Sequence, residues 1–178
     1  MTIKLFLAQT LGFVSLALGL WASKQTSDSK LLQGNLAASF ITAIHFGLLG
    51  SLVAMLNQLL NLGRFSLCQS YKHKLLAWIF SAGAMLIGWH FCQYYYEWLA
   101  VIASVILSFG LFYANGTALR KLMLIAALVN LCLAIFLNSY SGMLYQLLSS
   151  YLLASQIGLL GQFKTLYYRG LQVTYSSY

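Results

Sequence analysis

As a pattern of apolar and polar positions, the chain divides into seven apolar runs: 3–22, 31–49, 52–67, 75–91, 98–113, 122–137 and 143–161. Each lies near or just below the roughly 20 residues that an α-helix needs to cross a hydrocarbon core. The pattern predicts an all-α fold, a polytopic transmembrane bundle of seven helices. The turn signals are Gly50-Ser51, which divides runs two and three without any charge, and Asn138-Ser139-Tyr140-Ser141-Gly142.

Composition agrees. The 178 residues are 61% hydrophobic and 7% charged, where a soluble domain carries about 25% charged residues. So few charges cannot cover a globule, so the apolar runs face lipid. The net charge of +8 does not point to nucleic acid, because the basic residues stand singly or in pairs between apolar runs. Cys68, Cys92 and Cys132 form no CxxC pair and read as small apolar side chains.

Charge placement sets the topology. Lys24, Asp28 and Lys30 follow run one. Arg64 stands at the end of run three and Lys72 and Lys74 follow it, Arg120 and Lys121 follow run five, and Lys164 and Arg169 follow run seven. The opposite face holds only Lys4 and Glu97. Basic residues concentrate on the cytoplasmic side, so the N-terminus is expected outside and the C-terminus in the cytoplasm. Fusing runs two and three would dissolve this asymmetry. Lys4, the apolar run and Ala22-Ser23 also fit a cleaved signal peptide, but the repeat described next gives run one a partner.

Leu18-Gly19-Leu20-Trp21 matches Phe109-Gly110-Leu111-Phe112 at an offset of 91, which also carries Lys30 onto Lys121. The run Ala54 to Leu60 matches Gly142 to Leu148 at an offset of 88. The expected organisation is a three-helix repeat at 1–70, a linker helix at 71–96, a second repeat at 97–163 and a cytoplasmic tail at 164–178. One linker helix between two three-helix units leaves both in the same orientation, making them parallel repeats.

The segment Lys30 to Arg64, with His45-Phe46, Gly50 and Asn61-Leu62-Gly63-Arg64, resembles the YgjV-type family of bacterial inner membrane proteins. The order of the remaining segments is similar over nearly the whole chain. The resemblance implies a multi-pass protein of the bacterial inner membrane. It also implies a 3+1+3 helix layout like that of the SWEET and PQ-loop transporters. This chain contains no proline, so the Pro-Gln pair of the PQ-loop group is absent. Any hinge must come from Gly or Ser.

Polar side chains within the runs mark a candidate path, since lipid leaves them costly unless partnered. Asn35, Ser39 and Thr42 share a face of helix 2 at i, i+4 and i+7, with His45 extending the stripe outward. Asn57, Asn61 and Arg64 repeat that spacing in helix 3, with Arg64 expected at the cytoplasmic mouth. Helix 6 adds Asn130. Helix 7 adds Gln146, Ser149 and Ser150. The repeat carries Ser39 onto Asn130, Asn61 onto Ser149 and Gln58 onto Gln146. Substrate-path candidates are therefore Asn35, Ser39, Thr42, His45, Asn57, Asn61, Asn130, Gln146 and Ser149. The alternative is that these residues only join helices by hydrogen bonds of about 0.6–2 kcal/mol. His45 and His90, with Glu97 nearby, could sense protons or simply sit in the interfacial region. Trp89, Tyr94, Tyr95, Tyr96 and Trp98 read as one aromatic belt; Trp21, Tyr71, Tyr167 and Tyr168 read as the other.

Nothing here builds a catalyst. Asp28 and Glu97 fall on opposite faces, no catalytic motif occurs, and His45, His73 and His90 are too dispersed for a metal cluster. An enzyme, a cofactor and a metal are not expected. The expected partners are the bilayer and a small polar solute, neutral because no formal charge is expected in mid-membrane. A homo-oligomer is compatible with such a chain. The two main readings are a permease or facilitator and a non-transporting scaffold, with a membrane enzyme behind both.

Overall fold

The computed structural model describes residues 3–49, 52–136 and 140–158. Among them are seven α-helices: α1 (Ile3–Lys24), α2 (Asp28–Leu49), α3 (Leu52–Ser70), α4 (Lys74–Phe91), α5 (Trp98–Tyr113), α6 (Gly116–Phe136) and α7 (Tyr140–Gln156). A 3₁₀ turn, Tyr95–Glu97, leads into α5. The predicted all-α bundle is what the chain forms. The first turn signal, Asn138-Ser139, Lys164, Arg169, Tyr167 and Tyr168 lie outside the described residues.

The helices run further than the apolar pattern. α2 begins three residues before its run, at Asp28. α6 begins six residues before, taking in Arg120 and Lys121, and α3 continues through Arg64 to Ser70. The second turn signal is also displaced, since Tyr140, Ser141 and Gly142 are already helical. Charged side chains are therefore not loop markers here. Lys24, Lys30 and Lys74 lie in terminal turns, where long stems reach the interface, and Asp28 meets the positive end of a helix dipole.

The connections are tied locally. The His73 side chain accepts from the Leu75 N–H at 3.3 Å, capping α4. The Glu97 carboxylate accepts from the N–H groups of Gln93 (2.6 Å) and Tyr94 (3.0 Å), fixing the turn between α4 and α5. Gly116 opens α6 at φ +55°, a left-handed conformation that a side chain would strain.

Among the described residues, five segments are long and apolar enough to cross a bilayer: Phe6–Lys24, Asp28–Leu48, Lys74–Phe91, Tyr95–Tyr113 and Gly116–Phe136. Their outer surfaces expose large apolar groups, including Phe6, Trp78, Leu86 and Ile102, as lipid contact requires. α3 and α7 are less apolar, carrying Asn57, Gln58, Asn61 and Arg64 on one and Gln146, Ser149 and Ser150 on the other.

Contacts order six helices into a ring. α1, α2 and α3 pack in sequence, as do α5, α6 and α7; α3 then meets α5 and α7 meets α1. α4 lies outside this ring against α5 and α3. Among the described residues, the main apolar cluster lies toward one end. Leu31, Leu111, Leu119 and Leu153 are fully buried there, joined by Phe65, Cys68 and Ala77. That is the end bearing Lys24, Lys30, Lys72, Lys74, Arg120 and Lys121, hereafter the basic end.

Candidate functional site

A cavity of about 400 Å³ lies inside the ring. α1 contributes Gln9, Gly12, Ser15 and Ser23 to its wall. α2 contributes Asn35, Ser39, Thr42 and His45, and α3 contributes Gln58, Asn61 and Phe65. Leu107 of α5 and Met123 and Asn130 of α6 continue the wall. Tyr145, Gln146, Ser149 and Leu153 of α7 complete it. Such a volume falls in the ordinary range of small-molecule sites.

Eight of the nine candidates line this space: Asn35, Ser39, Thr42, His45, Asn61, Asn130, Gln146 and Ser149. Asn57 does not. The cavity-facing line of α3 runs through Gln58, Asn61 and Phe65, which turns Asn57 onto the flank.

The bonding of these groups is uneven. Asn35 donates to the Leu31 carbonyl at 2.8 Å and Thr42 to that of Ala38 at 2.7 Å, both within α2. His45 Nδ1 lies 2.6 Å from the Ala8 carbonyl, joining α2 to α1. Its ring rests over Gly12, where an added Cβ would meet it at 3.1 Å. Ser149 Oγ lies 3.0 Å from Ser23 Oγ, joining α7 to α1. The side chains of Ser39, Asn130 and Gln146 make no hydrogen bond to a described residue. His45 is thus a part-buried cavity residue, whereas His90 is exposed at the end of α4.

The basic end is sealed by a polar knot. Arg120, 5% exposed, donates to Asp28 Oδ1 (2.6 Å), to Gln156 Oε1 (2.9 Å) and to the carbonyls of Gln25 and Thr26. Asp28 Oδ2 accepts from the Gly116 N–H at 2.6 Å. Gln156 Nε2 donates to the Ser23 carbonyl at 2.8 Å. One ion pair thus gathers the α1–α2 turn, the start of α6 and the end of α7. Beside it, Lys72 Nζ donates to the Ala114 carbonyl at 2.9 Å and to Asn115 Oδ1.

Arg64 departs most from expectation. It is not at a solvated mouth but fully buried within α3. Nη1 donates to Asn61 Oδ1 at 3.0 Å and Nη2 to Ser104 Oγ of α5 at 3.1 Å, and the guanidinium carbon sits 5.8 Å from the Phe80 ring centre. The interior is therefore not free of formal charge.

Sequence reasoning missed α1 as a wall. Its signal was the small residues Gly12, Ser15, Gly19 and Ser23, spaced to share one face. An added Cβ at Gly19 would meet the Tyr145 hydroxyl at 2.8 Å, so this glycine admits the tyrosine to the cavity wall. The Arg120 partners carried no such signal, since Asp28 lies 92 positions away. Among the described residues no group of His, Cys, Asp and Glu is placed to hold a metal ion. Cys68 is buried, donating toward the Leu111 carbonyl, and Cys132 is exposed on α6.

Compared with known proteins, residues 6–166 match a family described as bacterial inner membrane protein. Neither the curated proteins nor the solved structures gave a match.

Proposed function

We propose, from the premise that the chain belongs to the Imp-YgjV family of bacterial inner membrane proteins, that it is a permease or facilitator moving a small polar solute through the ring cavity. One observation carries the reading. The cavity wall gathers eight of the nine intramembrane polar residues singled out above, yet among the described residues only His45 and Ser149 of them bond to another helix. Polar groups that serve only as glue should find interhelical partners. Ser39, Asn130 and Gln146 instead face the cavity without one, as groups that bind a solute would.

The ring order supports two parallel repeats, 1–70 and 97–163, about a linker helix at 71–96. Exchanging α1, α2 and α3 for α5, α6 and α7 reproduces the same sequence of contacts, including both closures between triplets. It also exchanges α3 with α7, the two polar helices. With the basic end in the cytoplasm, the Asp28–Arg120 knot and the apolar core become an inner seal beneath the solute. Opening requires the α1–α2 turn to part from α6 and α7. With no proline available, glycine contacts such as Gly19 against Tyr145 are the places where helices can shift.

The test is uptake of radiolabelled solutes into proteoliposomes, over a panel of small polar compounds, with Asn61→Leu as control. Accelerated uptake of at least one solute, lost in the variant, is expected. Uptake no faster than in protein-free vesicles across the panel would favour the scaffold reading.

A further inference from the structure

Among the described residues Arg64 has no counter-charge, and the composition explains why. The chain has two acidic side chains, Asp28 and Glu97. Asp28 is bound to Arg120, and Glu97 accepts backbone N–H groups in the turn between α4 and α5. The fully buried Arg64 guanidinium thus has two neutral acceptors and an aromatic face, and its Nε–H has no acceptor among the described residues. A buried cation is ordinarily matched by an anion, because desolvation leaves it costly alone.

The neighbours turn this charge toward the cavity. A guanidinium has only donors, so the Asn61 amide must present its oxygen to Arg64. Its nitrogen then faces away, 3.5 Å from Gln58 Oε1. That contact in turn leaves the Gln58 nitrogen as the amide group free to donate. Arg64, Asn61 and Gln58 thus form a relay with one polarity. Asn61 and Gln58 line the cavity and offer it N–H groups, with a positive charge one helical turn behind. No carboxylate lines the cavity to offset it.

We infer that this wall of α3 is a binding site for a small organic oxyanion, whose oxygens accept from Asn61 and Gln58 while Arg64 supplies the counter-charge. The inference rests on reading the cavity as the solute site and names the solute's class. A neutral solute was expected only because the interior was taken to be uncharged, and Arg64 removes that premise. Arg64 is a positioning residue here. It fixes the orientation of the Asn61 amide and sets the potential of the wall. Small cations should be refused.

The test uses the full chain labelled with ¹⁵N-arginine. It has three arginines, Arg64, Arg120 and Arg169, so the Nε–H signal of Arg64 can be assigned as the one that disappears in Arg64→Lys. Lactate, acetamide and methylammonium are titrated separately at constant chloride. The expected result is a saturable shift of the Arg64 signal with lactate, an affinity about tenfold weaker for acetamide, and no shift with methylammonium. Asn61→Leu, which keeps Arg64, should weaken lactate about tenfold. An Arg64 signal indifferent to lactate, or equally responsive to all three probes, overturns the site. Uptake of labelled lactate and acetamide separates the two readings. A lactate shift with no uptake of either probe or of any other member of the solute panel supports the oxyanion site and overturns the permease. Acetamide uptake with no lactate shift overturns the site and leaves the permease standing.

Discussion

Replacing Asp28 by Asn should loosen the basic end, and the structure sets the size of the effect. Arg120 is 6% exposed and Asp28 29% exposed at their side chains, and their bond is 2.6 Å. Removing one partner of a fully buried ion pair costs about 3–5 kcal/mol. Asp28 is only partly buried, and an Asn can still accept from Gly116, so about 2 kcal/mol is expected for Asp28→Asn. Arg120→Gln gives up the Asp28 bond, the Gln156 bond and two carbonyl bonds. It should cost more, about 4 kcal/mol. In a double-mutant cycle the double variant should be less destabilised than the sum of the singles, by about 2 kcal/mol. The assay is reversible unfolding in mixed micelles, followed by tryptophan fluorescence. Additivity within about 0.5 kcal/mol would refute the reasoning and leave the carbonyl bonds of Arg120 as the whole knot.

Three further outcomes follow from close approaches and charge. Gly88→Ala puts a Cβ 2.6 Å from Val101 Cγ2; it should cost about 1–3 kcal/mol, and adding Val101→Ala should recover most of it in the same unfolding assay. Gly19→Ala displaces the Tyr145 ring into the cavity; proteoliposome uptake should fall more than stability does, and Tyr145→Phe should restore part of it by removing the nearest atom. In a cysteine-free background, a membrane-impermeant maleimide applied to right-side-out vesicles should label Tyr95→Cys and spare Lys24→Cys; the reverse would invert the topology.

The helices were legible in the sequence because lipid leaves no substitute for long apolar runs. Their ends were not, because Asp28, Arg120 and Lys121 are charged yet helical. The same ambiguity hid the role of the two buried arginines. A basic residue ending an apolar run looks the same whether it reaches the headgroups or turns inward. For Arg64 the inward turn depends on Ser104, 40 positions away, and for Arg120 on Asp28 and Gln156. The cavity wall was legible on α2 and α7, where polar groups recur on one face. On α3 the face was misjudged by about one residue, so Asn57 was included and Gln58 left out of the candidates. On α1 the wall is built largely from small residues, which a search for polar groups passes over.

A permease of this form must pass its solute between the two triplets. The most direct measurement is uptake by protein carrying Asn130→Cys as its sole cysteine, before and after reaction with a membrane-impermeant methanethiosulfonate. Asn130 lines the cavity without a hydrogen-bond partner among the described residues, so the thiol should react and uptake should then stop. Uptake unchanged by a fully reacted Cys at that position would contradict that path.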